Sequence, residues 1–269
     1  VSDVIDGEVV RAGGAGRCRM IANYGVGVNH IDLAAAAAHG IPVSNTPGVL
    51  TDATADLAMT LMLMLCRRAG EGERELRAGA WAGWRPTHLV GQAMTGKRLG
   101  IIGMGRIGKA VAQRAHFGFG MEIGCFNRSP VADGAGVGAT QYGSVAALCT
   151  TSDFVSLHCA ATPDTFEILN EEALAAMSAD AYVINTARGD VVDEAALVAA
   201  LESGAIAGAG LDVFQGEPAV NPAILAAPNT VLLPHLGSAT RETRVAMGLK
   251  VVANARAFAA GEPLPDPVG

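Results

Sequence analysis

Residues 98–103 form a short apolar run that passes directly into Gly103-Met104-Gly105-Arg106-Ile107-Gly108 and then into a stretch with helical spacing, 107–117. No other feature narrows the folds open to this chain as much. Glycines at G-x-G-x-x-G spacing carry little weight alone in a chain with 34 glycines. Between a strand and a helix they have distinct tasks: Gly103 permits a tight turn, Gly105 lets a pyrophosphate approach the backbone, and Gly108 lets helix and strand pack closely. N–H groups at the helix start then face the anion. Gly103, Gly105, Arg106, Ile107 and Gly108 are therefore expected to hold a dinucleotide.

The rest of the chain supplies the sheet that such a motif needs. Apolar runs rich in Val and Ile recur at 121–126, 154–158, 182–186, 207–213 and 230–233, with helix-length segments such as 171–177 and 194–202 between them. Strands that are apolar throughout are covered on both faces, so the pattern predicts an α/β chain with a doubly wound parallel sheet, the Rossmann fold. The first fifty residues read as a separate β/α unit: strand 19–23, Ala-rich helix 33–39 and strand 41–44. Residues 54–77 read as one long helix, apolar almost all round at first and dense in Glu and Arg later. An ordinary core helix, a link between domains and a dimer seam are all open for it. Residues 261–265 read as an irregular tail.

Composition excludes several functions. Nineteen Lys and Arg stand against 26 Asp and Glu, a net charge of −7, and no basic block is present, which disfavours nucleic acid. The longest strongly apolar stretch, 57–66, is too short to span a bilayer. Val1 opens a polar stretch without the pattern of a secretory leader. The five cysteines, Cys18, Cys66, Cys125, Cys149 and Cys159, are scattered and odd in number, as expected of reduced thiols in a cytoplasmic protein. His30, His39, His88 and His116 show no metal spacing, and no metal is expected.

The strand after the glycine loop points to the kind of dinucleotide. About 20 residues past the glycines, an NAD site normally presents Asp or Glu to the adenosine ribose. Here the strand ends in Asn127-Arg128-Ser129. Asn127 does not repel a 2′-phosphate, Arg128 offers a guanidinium fork and Ser129 a hydroxyl. NADP(H) is expected over NAD(H), which stays open.

In a doubly wound sheet, ligands gather at the carboxyl ends of the strands. Those ends carry Arg188 in Asn185-Thr186-Ala187-Arg188-Gly189-Asp190, Asp212 and Glu217 in the run 211–218, and His235 in Pro234-His235-Leu236-Gly237-Ser238. A guanidinium binds a carboxylate in a bidentate manner and polarises a neighbouring carbonyl. A histidine titrating near neutrality donates a proton, and a carboxylate against it favours imidazolium and orients the ring. The set suits reduction of a 2-oxo acid.

Together the segments 103–108, 185–193, 210–218 and 234–240 closely resemble the D-isomer-specific 2-hydroxyacid dehydrogenase family over essentially the whole chain. Within it the chain looks most like the glyoxylate/hydroxypyruvate reductases, on the Asn-Arg-Ser strand end and on Trp81-Ala82-Gly83-Trp84-Arg85-Pro86. The resemblance implies that Arg188 binds the substrate carboxylate and carbonyl, that His235 is the proton donor and that Glu217 is its partner. Asp212 would meet the nicotinamide end of the cofactor. His158, Cys159, Pro163, Thr186, Ala187, Gly237 and Ser238 would line the cofactor, and Tyr24, Gly25, Val26 and Gly27 would offer backbone N–H groups to the substrate. His88 stands where some relatives present an aromatic side chain in an arm that reaches a partner subunit.

The resemblance further implies a dinucleotide domain at 51–240 and a smaller discontinuous, flavodoxin-like substrate domain at 1–50 and 241–269. The smaller domain would be N-terminally incomplete, because family members complete a strand–helix–strand portion before the point where Val1 stands. A homodimer is implied, with the helix from Thr54 and the arm 81–91 at its interface. The reaction would be NADPH-dependent reduction of glyoxylate or hydroxypyruvate to the D-2-hydroxy acid. The alternatives are an NAD-dependent dehydrogenase of another D-2-hydroxy acid, such as lactate or phosphoglycerate, and a cofactor-sensing binding protein like the related co-repressors.

Overall fold

The computed structural model describes residues 3–131 and 136–268; Val1, on which the reading of the chain start rests, lies outside them. The described residues form ten strands: β1 (Ile21–Ala22), β2 (Val43–Ser44), β3 (Arg98–Ile102), β4 (Glu122–Phe126), β5 (Thr140–Gln141), β6 (Phe154–Leu157), β7 (Tyr182–Asn185), β8 (Gly208–Leu211), β9 (Thr230–Leu232) and β10 (Pro267–Val268). The α-helices are α1 (Gly7–Ala15), α2 (Leu33–Ala38), α3 (Thr51–Cys66), α4 (Ala69–Arg77), α5 (Arg106–Phe119), α6 (Val145–Thr151), α7 (Glu171–Ala175), α8 (Glu194–Glu202), α9 (Pro222–Ala226) and α10 (Arg241–Ala260). The chain forms two units, Val1–Ala53 with Ser238–Gly269, and Thr54–Gly237.

The larger unit contains the doubly wound sheet. Its order is β5-β4-β3-β6-β7-β8-β9, with every neighbouring pair parallel. Successive strand residues point to opposite faces, and the core divides accordingly. Ile102, Val155, Leu157 and Val183 pack with Leu148, Leu174, Leu197 and Leu201 of α6, α7 and α8. Ile101, Phe154 and Ile184 pack with Met59, Leu61 and Leu65 of α3 and with Val111 and Ala115 of α5. Because both sets are apolar, these strands read in sequence as unbroken apolar runs. Gly210 lets α3 sit close on β8: a Cβ there would stand 3.0 Å from the Cβ of Leu61.

The strand order reverses between β3 and β6. The β6 end is pinned there by the His158 N–H donating to the Ile102 carbonyl at 2.8 Å. Such a reversal opens a crevice beyond the carboxyl ends of the two strands, which Gly103 and His158 flank.

The smaller unit carries a three-stranded sheet ordered β1-β2-β10, with β2 parallel to β1 and antiparallel to β10. Val10, Ile31, Ala36, Ile41 and Val43 form its core. Asp266 anchors β10 by accepting from Lys250 Nζ at 2.6 Å and from the buried Asn254 Nδ2 at 3.0 Å, both on α10.

Several elements differ from the sequence reading, among them α1, which was not expected. The single helix expected over 54–77 is two: Arg68 takes a left-handed φ of 48°, and the Cys66 carbonyl accepts from the Gln92 N–H at 2.9 Å. A segment distant in sequence thus uses a carbonyl that a continuous helix would need. The helix α10 lacks an apolar face, so periodicity did not reveal it, although Thr240 caps its start and Gly261, at φ 71°, ends it. The strands β5 and β10 are two residues each and exist only as edge pairings. The apolar side of α3 packs on the sheet of its own unit, as a core helix does. No helix of the described residues is long and apolar enough to cross a membrane.

Candidate active site

The glycine loop has the shape a dinucleotide requires. Gly103 has φ 96°, and a Cβ on it would lie 2.6 Å from the Cys159 amide nitrogen. A Cβ on Gly108 would lie 2.3 Å from the Gly103 carbonyl oxygen, so strand and helix touch there through backbone. A Cβ on Gly105 would meet nothing within 4 Å, which leaves open space above the start of α5. No side chain caps that start, so the first-turn N–H groups of Arg106, Ile107 and Gly108 are available to a diphosphate. The residues present fit the group. Asn127 adds a link the sequence did not suggest: its Oδ1 accepts from the Met104 N–H at 3.2 Å, tying the end of β4 to the loop. Arg128 and Ser129 follow it, both exposed.

At the end of β7, Asn185 shapes the turn that carries Arg188. Its Oδ1 accepts from the Ala187 N–H at 3.0 Å and its Nδ2 donates to the Arg188 carbonyl at 2.8 Å. Arg188 Nη1 donates to the Ala187 carbonyl at 2.7 Å. Burial lowers the Arg188 pKa, against the charges of Glu217 and Asp190. This turn is locked to the one after β8. A Cβ on Gly189 would stand 2.0 Å from the Phe214 carbonyl carbon. The buried Glu194 accepts from the Gln215 N–H at 2.7 Å, and Gln215 Nε2 donates to the Val192 carbonyl at 3.0 Å. The sequence reading passed over Asn185 and Glu194 as functional supports. Their signal is a polar residue closing an apolar strand and a carboxylate in an apolar helix.

Asp212 ends β8, buried, with Oδ1 accepting from the Leu236 N–H at 2.6 Å and Oδ2 from the Gly237 N–H at 2.8 Å. Burial raises its pKa against those two hydrogen bonds. Its carboxylate therefore clamps the 235–237 turn. Thr54 Oγ1 holds the far side of that turn by donating to the Gly237 carbonyl at 3.1 Å. His235 sits in the turn with φ 55°, and its N–H donates to the Asp212 carbonyl at 2.9 Å.

The His235 ring meets Glu217, with Nδ1 at 2.7 Å from Oε2, while Oε1 accepts from the Phe214 N–H at 2.8 Å. An ionised carboxylate only accepts, so Nδ1 carries a proton and Nε2 is left for another partner. Burial pushes the Glu217 carboxyl up, but the hydrogen bonds from His235 and Phe214 and the charges of His235 and Arg188 hold it below its ordinary value. A carboxyl whose folded pKa is lowered stabilises the fold above its unfolded pKa, near 4.3, and loses that contribution as pH falls through the folded value. Thermal melts should therefore show Glu217→Gln below wild type at pH 7, with the gap closing below about pH 4. A gap equal at every pH would contradict an ionised Glu217 in the fold.

His158 lies at the end of β6 with Nε2 at 2.8 Å from Ser156 Oγ and Nδ1 at 3.4 Å from Thr186 Oγ1. Burial pushes its pKa down to about 3, so the ring is neutral. The next residue, Cys159, has its thiol pushed up to about 11 by burial. Pro163 opens a short turn, 163–165, after this strand. Thr186 is buried and Ala187 half-buried, both beyond β7.

In the smaller unit, the loop Tyr24, Gly25, Val26, Gly27 is held by its carbonyls. Asn23 Nδ2 donates to the Gly25 and Gly27 carbonyls, each at 3.0 Å, and Asn45 Nδ2 donates to the Val26 carbonyl at 2.9 Å. Its glycine N–H groups take no part in these bonds. Ser238 belongs to this unit. His88 Nε2 lies 2.7 Å from Glu75 Oε2 of α4. Among the described residues no cluster of His, Cys, Asp or Glu is placed to hold a metal ion.

Residues 59–237 match the model of the D-isomer specific 2-hydroxyacid dehydrogenase NAD binding domain. The chain is 45% identical over 266 residues to a glyoxylate reductase of Thermococcus litoralis, covering 97% of this chain and 80% of that protein. It is 46% identical over 228 residues to a glycerate dehydrogenase of Hyphomicrobium methylovorum, covering 84% of this chain and 70% of the relative. Among solved structures it is similar to an NADPH-dependent glyoxylate/hydroxypyruvate reductase of Sinorhizobium meliloti in complex with NADP and malonate. The TM-score is 0.87 at 40% identity, over 93% of this chain and 77% of that one. The chain belongs to the D-isomer specific 2-hydroxyacid dehydrogenase family. It is an NAD(P)-dependent oxidoreductase.

Proposed function

We propose that the protein is an NADPH-dependent reductase of small 2-oxo acids, glyoxylate and hydroxypyruvate foremost, yielding the D-2-hydroxy acid. The observation that carries the chemistry is the Glu217–His235 pair at 2.7 Å, in a unit whose neighbouring turn presents a half-buried arginine. A bound nicotinamide supplies the hydride. Arg188 binds the substrate carboxylate and polarises its carbonyl. His235 gives the carbonyl oxygen a proton from Nε2, and Glu217 fixes the ring by accepting from Nδ1. Asp212 meets the nicotinamide end of the cofactor and keeps the 235–237 turn in place.

The phosphates are assigned to Gly103, Gly105, Arg106, Ile107 and Gly108, and the cofactor wall to His158, Cys159, Pro163, Thr186, Ala187, Gly237 and Ser238. The neutral His158 has no imidazolium proton to give, which favours its role as wall over that of a second acid. Tyr24, Gly25, Val26 and Gly27 bind the substrate carboxylate through backbone N–H groups. Asn127, Arg128 and Ser129 favour NADPH, since no carboxylate stands there to repel a 2′-phosphate. The similar reductases at 40–45% identity support the substrate class. We assign the working form to a homodimer, for which the exposed Trp81 and Trp84 of the arm supply apolar surface.

The test is absorbance loss at the nicotinamide band, with NADPH and NADH in parallel against glyoxylate, hydroxypyruvate and pyruvate. Faster oxidation of NADPH with the first two acids is the expected result. A strong NADH preference would overturn the cofactor reading and keep the family. No turnover with any pair, despite cofactor binding, would move the function to another acid or to a binding protein.

A further inference from the structure

The turn that carries Arg128 is shaped by a residue from another strand. Gln141 ends β5, beside Cys125 of β4, and its side-chain amide meets that turn at three places. Nε2 donates to the Asn127 carbonyl at 3.1 Å and to the Ser129 carbonyl at 3.2 Å, and Oε1 accepts from the Val131 N–H at 2.9 Å. From the other side, Asn127 Nδ2 also donates to the Ser129 carbonyl, at 2.9 Å, while its Oδ1 holds the Met104 N–H of the glycine loop. Two amide side chains therefore grip the backbone on both sides of Arg128. Both polar atoms of the Gln141 amide are used on backbone and Gln141 itself is exposed, so neither core packing nor ligand contact accounts for it. An arginine with a fixed base loses less conformational freedom on meeting an anion than one on a loose turn.

We infer that Gln141 is a positioning residue for cofactor selectivity: it sets the Asn127–Val131 turn so that Arg128 and Ser129 are presented to the 2′-phosphate of NADPH. The inference rests on the NADPH reading above and names a residue that acts through others.

Gln141→Leu removes all three hydrogen bonds at an exposed position. Gln141→Glu keeps an acceptor for Val131, loses the donor and sets a carboxylate against two carbonyls, so it carries the test if the leucine variant fails to fold. The experiment measures KM for NADPH and for NADH with glyoxylate, for both variants and for Arg128→Ala, on the full chain. The expected result is a rise of about tenfold in KM for NADPH, about 1.4 kcal/mol, with less than about twofold for NADH. Equal rises for both cofactors would mark a merely structural role and overturn the inference, as would no rise at all. If Arg128→Ala collapses the preference while both Gln141 variants keep it, the role of Gln141 falls and the NADPH reading stands. If Arg128→Ala leaves the ratio of the two KM values unchanged, the NADPH reading falls and takes the inference with it.

Discussion

His235→Ala is expected to lower kcat about 10²- to 10⁴-fold, the range for loss of a positioned general acid, while the Kd for NADPH changes little. The geometry supports this separation. His235 is held by the Asp212 carbonyl through its N–H and by Glu217 through Nδ1, so truncating the ring removes no hydrogen bond of the glycine loop. Loss of cofactor binding in this variant would refute the assigned role. Glu217→Gln should give a smaller loss of kcat, because an amide still accepts from Nδ1 without the charge. Cofactor fluorescence titration and single-turnover absorbance measure the two quantities independently.

Arg188→Ala should reduce kcat/KM for the 2-oxo acid about 30- to several-thousand-fold, corresponding to the roughly 2–5 kcal/mol lost when one partner of a buried charge pair is removed. Arg188→Lys should recover only part of it, since an ammonium lacks the planar fork that meets a carboxylate at two points. The effect should fall on the acid and not on NADPH. Arg188 is placed by Asn185, which holds the Ala187 N–H and the Arg188 carbonyl, and by Gly189, whose backbone abuts Phe214. Asn185→Ala would then weaken the same step by loosening the turn. Equal losses in acid and cofactor binding for Arg188→Ala would instead mark a structural residue.

Six of the seven strands in the large sheet are legible in the sequence, because each leaves a run of mostly apolar residues, fully buried in β6, β7 and β8 and half-buried in the edge strand β9. β5 is not: its two residues, Thr140 and Gln141, are exposed and pair with β4 alone. The helix break at Arg68 is equally hidden, since the residue that takes the Cys66 carbonyl, Gln92, is distant in sequence. The terminal helix α10 had its caps in plain view, Thr240 and Gly261, but no apolar face to join them. The rule that ligands meet strand carboxyl ends points in the sequence to Arg188, Asp212, Glu217 and His235 as candidates, and the structure pairs two of them, Glu217 and His235. Asn185 acts on the turn that directly follows it, whereas Glu194, Gln215 and Thr54 act on backbone that only the fold brings near.

The sequence alone therefore determined the fold class, the position of the glycine loop and the identity of the charged residues that follow the strands. All of these follow from local pattern: apolar runs, glycines at set spacing, and what immediately follows each strand. Only the tertiary structure decided that His235 turns its Nδ1 onto Glu217, 18 residues away, that Asp212 clamps the 235–237 turn, and that Gln141 grips the Arg128 turn. A hydrogen bond between distant segments depends on strand order, register and a left-handed backbone at His235, and these arise together only when the whole sheet has formed.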